Sequence, residues 1–225
     1  MQNHILTTQE LFAPGHTRAW AHLSGYEYPW EILAEIKDII REVGATLPPD
    51  EYDHPAEDIW IARSARIAPT AYIGAPAIIG ADTEVRHGAF IRGAALVGDG
   101  CVVGNSVELK NCILFDGVQV PHYNYVGDSV LGYKEHMGAG AVTSNVKSDR
   151  TLVSVRAGDE VLETRLKKMG AILGDRVEVG CNSVLNPGTV IGADSNIYPL
   201  SSVRGTVPPR CILKSGKGTE IVEKQ

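Results

Sequence analysis

The sequence predicts an all-β solenoid of triangular cross-section, built from six-residue repeats and preceded by a small helical cap. Three observations carry that expectation. An aliphatic or aromatic residue recurs at every sixth position, from Ile61 through Ile67, Ile73, Ile79, Val85, Ile91, Val97, Val103 and Leu109 to Phe115. The next residue is often small, as at Ala62, Ala68, Gly74, Gly80, Gly98 and Gly104, and a second small residue follows four places after the aliphatic. The composition agrees: 24 Gly, 3 Phe, 3 Met and 6% aromatic residues suit a narrow interior filled by Ile, Val, Leu and Ala.

Neither a helix of period 3.6 nor a plain strand of period 2 sustains such a rhythm. A hexapeptide coil does: each hexad forms one flat side, the aliphatic points inward, and small residues occupy the corners. Three hexads, or 18 residues, close one coil, and successive coils stack at about 4.8 Å. The rhythm returns at Leu173, Val179, Leu185, Ile191, Ile197 and Val203. Between the two runs it is irregular but recognisable at Val126-Gly127, Leu131-Gly132 and Met137-Gly138.

The remaining segments follow by contrast. Residues 147 to about 170 lose the pattern, are richly charged, and read as a loop thrown out of the solenoid. Before the repeats, Pro29 suits a first helical turn, Ile32, Leu33, Ile36, Ile39, Ile40 and Val43 form an apolar face, and Gly44 is a stop. This helix is expected to cap the open end of the solenoid. The predicted organisation is a cap and linker over 1–57, the solenoid over 58–215 with its inserted loop, and a tail over 216–225.

Several function classes are disfavoured. With 21 Lys+Arg against 27 Asp+Glu, the net charge of −6 argues against a general nucleic-acid or membrane-surface binder. No apolar run is long enough to span a bilayer, and MQNHILTTQE is no leader, so a cytoplasmic location is expected. Cys101, Cys112, Cys181 and Cys211 form no CxxC pair and read as buried free thiols rather than disulfides or zinc ligands.

The repeat also places side chains in space. Arg92 and Lys110 each follow an inward aliphatic and are 18 residues apart, so they stack on adjacent coils. Like charges so placed repel. Either they hold an anion such as a phosphate, or one pairs with a neighbouring acid such as Glu108. His122 lies where Pro121 and the lost spacing suggest that side chains project outward. It is either a surface histidine or, with Tyr125 nearby, a general base.

The segments VELKN and VPHYNYVGDSVLGYKEHMGAGAVTSN resemble the acetyltransferase domain of the bifunctional glucosamine-1-phosphate acetyltransferase/N-acetylglucosamine-1-phosphate uridyltransferase family. That family's pattern of Arg, Lys, His and Tyr is matched in spacing by Arg92, Lys110, His122 and Tyr125, and the resemblance covers roughly residues 59 to 215. The stretch LETRLKKMGAILGDRVEVGCNSVLNPG is similar to the archaeal-type sugar-1-phosphate nucleotidyltransferase/acetyltransferases.

The resemblance implies a left-handed parallel β-helix, a homotrimer with sites between subunits, and acetyl-CoA as donor. It implies that Arg92, Lys110 and Tyr125 hold the sugar phosphate, that His122 takes a proton from the amine, and that Ala139 and Asn145 line the acetyl-CoA path. His136 replaces a sugar-contacting asparagine, Val146 a tyrosine, and Cys181 a serine of the coenzyme site. Lys214 and Lys217 either reach the coenzyme phosphates or belong to a solvated tail.

The expected activity is N-acetylation of an amino-sugar 1-phosphate, glucosamine-1-phosphate first, with no metal required, in UDP-N-acetylglucosamine or related sugar-nucleotide biosynthesis. The residues before Ile59 are too few for a uridyltransferase half. The alternatives are an acyltransferase for another amino sugar or sugar nucleotide, and a non-catalytic trimeric scaffold. A zinc carbonic anhydrase on the same fold is disfavoured, because the seven His lack its closely spaced ligand pair.

Overall fold

A computed structural model describes residues 4–215 and 219–223. Its strands wind as a left-handed parallel β-helix with three flanks. The first flank runs from Ile59–Ala62 to Thr206–Val207, the second from Arg66–Ile67 to Cys211–Ser215, and the third from Tyr72–Ile73 to Ser202–Val203. Two longer strands, Glu108–Leu114 and Tyr125–Leu131, turn the corner from the third flank to the first without interruption.

Strand pairing gives the length of each coil. Ala77 pairs with Ala95 as expected of an 18-residue coil, but Ala95 pairs with Cys112 and Cys112 with Ser129, so two coils have only 17 residues. The slip is at the third–first edge, where Asn111 and Asp128 take left-handed backbone conformations, with φ of 50° and 48°. It corrects one repeat position. Leu114 rather than Phe115 pairs with Val97, and Phe115 is buried at the corner against Phe12, with ring centroids 4.8 Å apart. Small residues after the inward aliphatics are required by close stacking: a Cβ on Gly104 would overlap the Pro121 carbonyl of the next coil.

The N-terminal helical cap is present, but it covers a flank rather than the open end. Pro29–Ala34 forms a 3-10 turn and Ile36–Gly44 an α-helix, and Ile32, Leu33, Ile36, Ile39 and Ile40 are buried. These elements pack on the strands of the first flank. The reason lies in that flank's outward residues. Ile78, Leu96, Ile113 and Val130 each precede an inward aliphatic, point away from the axis, and are fully buried. An apolar stripe outside the solenoid demands a cover.

Upstream of the cap the chain follows the first–second edge from coil to coil. The Asp175 carboxylate accepts the Ala13 and Tyr133 N–H groups at 2.8 and 2.9 Å. The His16 carbonyl accepts the Asp116 N–H at 2.9 Å, and Arg18 forks onto Asp99 at 2.8 and 3.1 Å. Antiparallel strands cover both sheet ends, Tyr52–Ala56 beside Ile59–Ala62 and Thr219–Glu223 beside Cys211–Ser215.

Residues 147–170 leave the solenoid at the third–first edge and return there. They carry the hairpin Ser154–Ala157 and Glu160–Glu163, whose Val155 and Ala157 are buried. Of the cysteines, Cys101, Cys112 and Cys211 are buried free thiols; Cys181, contrary to expectation, is exposed. No helix among the described residues is long and apolar enough to cross a membrane.

One interior residue opposes the pattern. Glu135 is fully buried, and neither carboxyl oxygen has a hydrogen-bond partner among the described residues. The equivalent places in the coils on either side are held by Val118 and Val177. Burial first, and then the charge of Glu178, raises its pKa well above 4.5. The folded chain therefore keeps a proton that the unfolded chain releases, and stability falls as pH rises above about 4.5.

Two stability measurements follow. Glu135→Val is expected to raise the melting temperature at neutral pH and to flatten its decline above about pH 5; an unchanged pH profile would refute the buried acid. Ile113→Ala should cost about 2–5 kcal/mol in denaturant unfolding, because the cap cannot follow the shortened side chain into the stripe.

Candidate functional site

Two edges of the triangle carry the polar side chains of interest. The third–first edge gathers a connected network. Arg92 stands above Lys110, as the spacing predicted, since Ile91 pairs with Leu109. Each cation also has a carboxylate. Arg92 Nη1 donates to Glu108 Oε1 at 2.7 Å, and Lys110 Nζ to both Asp128 oxygens at 3.1 and 3.2 Å.

Asp128 is the hub. Its side chain is only 7% exposed, and it also accepts the amide N–H groups of Asn111 and Asn145. A short polar side chain tolerates the left-handed corner better than most residues do, and from there its oxygens face the stacked coils. The Asn145 amide donates as well to the Tyr125 hydroxyl at 3.1 Å. Burial, followed by the charges of Asp128 and Glu108, pushes the Tyr125 phenol above its ordinary pKa.

Asn111 ties this network to the cap, donating to the Leu33 carbonyl at 3.0 Å. Between cap and edge lies a cleft of about 410 Å³, bounded by Leu33, Ala34 and Lys37 on one side and by Arg92, Lys110 and Asp128 on the other.

The second–third edge carries a different row. The His122 carbonyl accepts the Gly140 N–H at 3.0 Å, the Ala139 carbonyl the Asn182 N–H at 2.9 Å, and the Cys181 carbonyl the Leu200 N–H at 2.9 Å. His122, Ala139, Cys181 and, two coils further, Lys214 therefore climb one side of the stack. At about 4.8 Å per coil, the four steps from His122 span roughly 19 Å. His122 is exposed at the foot of this row. Its turn is anchored by the Asn124 side chain, which accepts the His122 N–H and donates to the carbonyls of Gly138 and Ala141 at 2.8 and 3.1 Å. Tyr123 is held at φ 52° in that turn. The Lys214 ammonium lies 5.9 Å from the Tyr198 ring centroid; Lys217 lies outside the described residues.

The structure thus sorts the expected site residues. It joins Lys110, Tyr125 and Asn145 in one network through Asp128, with the Arg92–Glu108 pair stacked beside it, and this takes Asn145 away from the row containing Ala139 and Cys181. His136 joins neither group: it faces outward on the second flank, with Nδ1 2.8 Å from Glu178 Oε2. Val146 is exposed immediately beyond Asn145. Asp128, Asn111 and Lys37 were not anticipated. Asp128 lies 18 residues after Lys110, but the coil there has 17, so Gly127 stacks on Lys110 and Asp128 reaches its ammonium from the next place along.

A hexapeptide-repeat β-helix with polar networks along two edges is the class these features define. A family profile described as the GMPPB C-terminal domain matches residues 78–193, just over half of the chain, and the chain belongs to that family. Among curated relatives, a bifunctional sugar-1-phosphate nucleotidylyltransferase/acetyltransferase of Sulfurisphaera tokodaii is 36% identical over 102 residues, which is 45% of this chain and 25% of that protein. A bifunctional protein GlmU of Methanococcus maripaludis is 37% identical over 93 residues, covering 41% of this chain and 22% of the relative. The chain thus spans about a quarter of the length of these relatives. Among solved structures, the UDP-N-acetylglucosamine acyltransferase of Francisella novicida aligns with a TM-score of 0.49 and 15% identity, over 74% of this chain and 67% of that one.

If Asp128 organises the edge, Asp128→Ala strands Lys110, Asn111 and Asn145 together. The expected loss is about 1–3 kcal/mol in denaturant unfolding. A variant as stable as the parent would show that the hub is replaceable by water.

Proposed function

We propose that this protein is an acetyl-CoA-dependent N-acetyltransferase whose acceptor is an amino-sugar 1-phosphate, glucosamine-1-phosphate first. One observation carries the reading. The short segment from His122 to Asp128 bears an exposed imidazole at one end, the Tyr125 phenol in its middle, and at the other end the carboxylate that holds Lys110. A base, a polar contact and an anion-binding edge are thereby arranged across the third flank, one hexad wide. The curated relatives named above, one of them a sugar-1-phosphate nucleotidylyltransferase/acetyltransferase, support the same chemistry.

In this reading the sugar phosphate is held at the Arg92 and Lys110 edge with its amine toward His122. The imidazole accepts a proton from the amine as nitrogen attacks the thioester carbonyl. The new C–N bond forms, the C–S bond breaks, and the coenzyme thiolate leaves with the proton. Acetyl-CoA is the donor and supplies the activated acyl group; its extended arm would follow the row Ala139, Cys181 and Lys214. The Ala139 N–H donates to no group among the described residues, which leaves it free to meet the developing oxyanion. Holding both reactants across the one flank between these edges supplies the rest of the acceleration.

The protein would act in the cytoplasm as a homotrimer. Its exposed apolar side chains support that assembly, because Tyr72 (59% exposed), Phe90 (43%), Val184 (37%), Tyr198 (44%) and Leu200 (75%) lie on the third flank or its leading edge. His136, from the second flank, would then reach a sugar only across a subunit boundary.

The ion pairs of Arg92 with Glu108 and Lys110 with Asp128 favour a second reading, in which the cations serve the fold of a non-catalytic scaffold. A thiol-release assay with acetyl-CoA separates the two, offering glucosamine-1-phosphate, galactosamine-1-phosphate and UDP-linked amino sugars. Release with a sugar phosphate is expected, and His122→Ala should lower turnover by about 10²–10⁴-fold with coenzyme binding intact. No release with any acceptor would establish the scaffold.

A further inference from the structure

We infer that Lys37, on the N-terminal cap, is the cation that makes the cleft at the third–first edge an anion site, and that its ligand is the phosphate monoester of the acceptor. The inference rests on the acetyltransferase reading for the identity of that acceptor, but its electrostatic basis is independent of the reaction.

The charges around the cleft decide the matter. Arg92 and Lys110 face it, yet Glu108 and Asp128 compensate both at hydrogen-bond distance. Without a further cation the cleft would be neutral, and a phosphate dianion would have to compete with two carboxylates already in place. Lys37 lines the opposite wall and makes no ion pair or hydrogen bond among the described residues. It is exposed, whereas its neighbours Ile36, Ile39 and Ile40 are fully or nearly buried. With Lys37 the cleft holds three cations against two carboxylates.

Its position is also fixed rather than incidental. The Asn111 amide donates to the Leu33 carbonyl on the cap and to Asp128 on the solenoid, so one side chain locks the two walls of the cleft together. The first turn of the helix Ile36–Gly44 starts three residues after that anchor, which sets Lys37 across from Arg92 and Lys110. A phosphate bridging the walls would gain a charge-assisted hydrogen bond from the ammonium with no acid to displace.

The experiment measures binding of glucosamine-1-phosphate, of inorganic phosphate and of uncharged glucosamine by calorimetry, using the parent protein, Lys37→Gln, Lys37→Arg and Arg92→Gln. Lys37→Gln is expected to weaken the sugar phosphate and inorganic phosphate about tenfold or more, the loss of one hydrogen bond to a charged group. Lys37→Arg should restore most of that affinity, and acetyl-CoA binding should not change. Affinity for both phosphates within about twofold of the parent in Lys37→Gln would overturn the inference, and so would failure of the parent to bind either phosphate. If phosphate binding depends on Lys37 but no acetyl transfer occurs, the anion site stands and the acetyltransferase reading falls.

Discussion

Stacking coils at a single inter-strand spacing is the constraint from which everything else in this protein follows. Each residue must share its place with those one coil above and below, so interior places repeat, corners repeat, and polar side chains at a corner become neighbours by construction. The inward aliphatics are the visible result. The less visible one is that Arg92, Lys110 and Asp128, far apart along the chain, form one contiguous group.

The same constraint makes small deviations consequential. Removing one residue from a coil at Asn111 leaves the core intact, since Val97 still meets Leu114, but it turns the corner side chains relative to those of the coil below. Polar residues in left-handed conformations at Asn111 and Asp128 then bond to one another across coils. A local backbone shortening thus becomes a side-chain network, and the network in turn holds the cap through Leu33.

Much of the fold was legible because the interior of a hexapeptide coil admits so few residue types. The runs from Ile61 to Leu109 and from Leu173 to Val203 required no knowledge of tertiary contacts. What escaped was tertiary. The cap's location depends on Ile78, Leu96, Ile113 and Val130, and their outward direction is hidden in sequence because each adjoins an inward aliphatic and reads as part of the same apolar pair. In the site, the stacking of Arg92 on Lys110 was legible from spacing alone, whereas Asn111 was not, because its role comes from a shortened coil. Lys37 could not be found by any repeat, since it arrives from a helix laid across the flank.

The excursion at residues 147–170 leaves and rejoins the solenoid at adjoining points: the Met169 N–H bonds to the Asn145 carbonyl and the Gly170 N–H to the Asp128 carbonyl. Val130 then pairs with Ile172 as if nothing intervened. Such an insertion leaves the phase of the stack untouched, and its closure entropy grows only slowly with length. The excursion can therefore lay Val153, Val155 and Ala157 into buried contacts without shifting the coils beyond it, a second covering layer added to the stack at no cost to its phase.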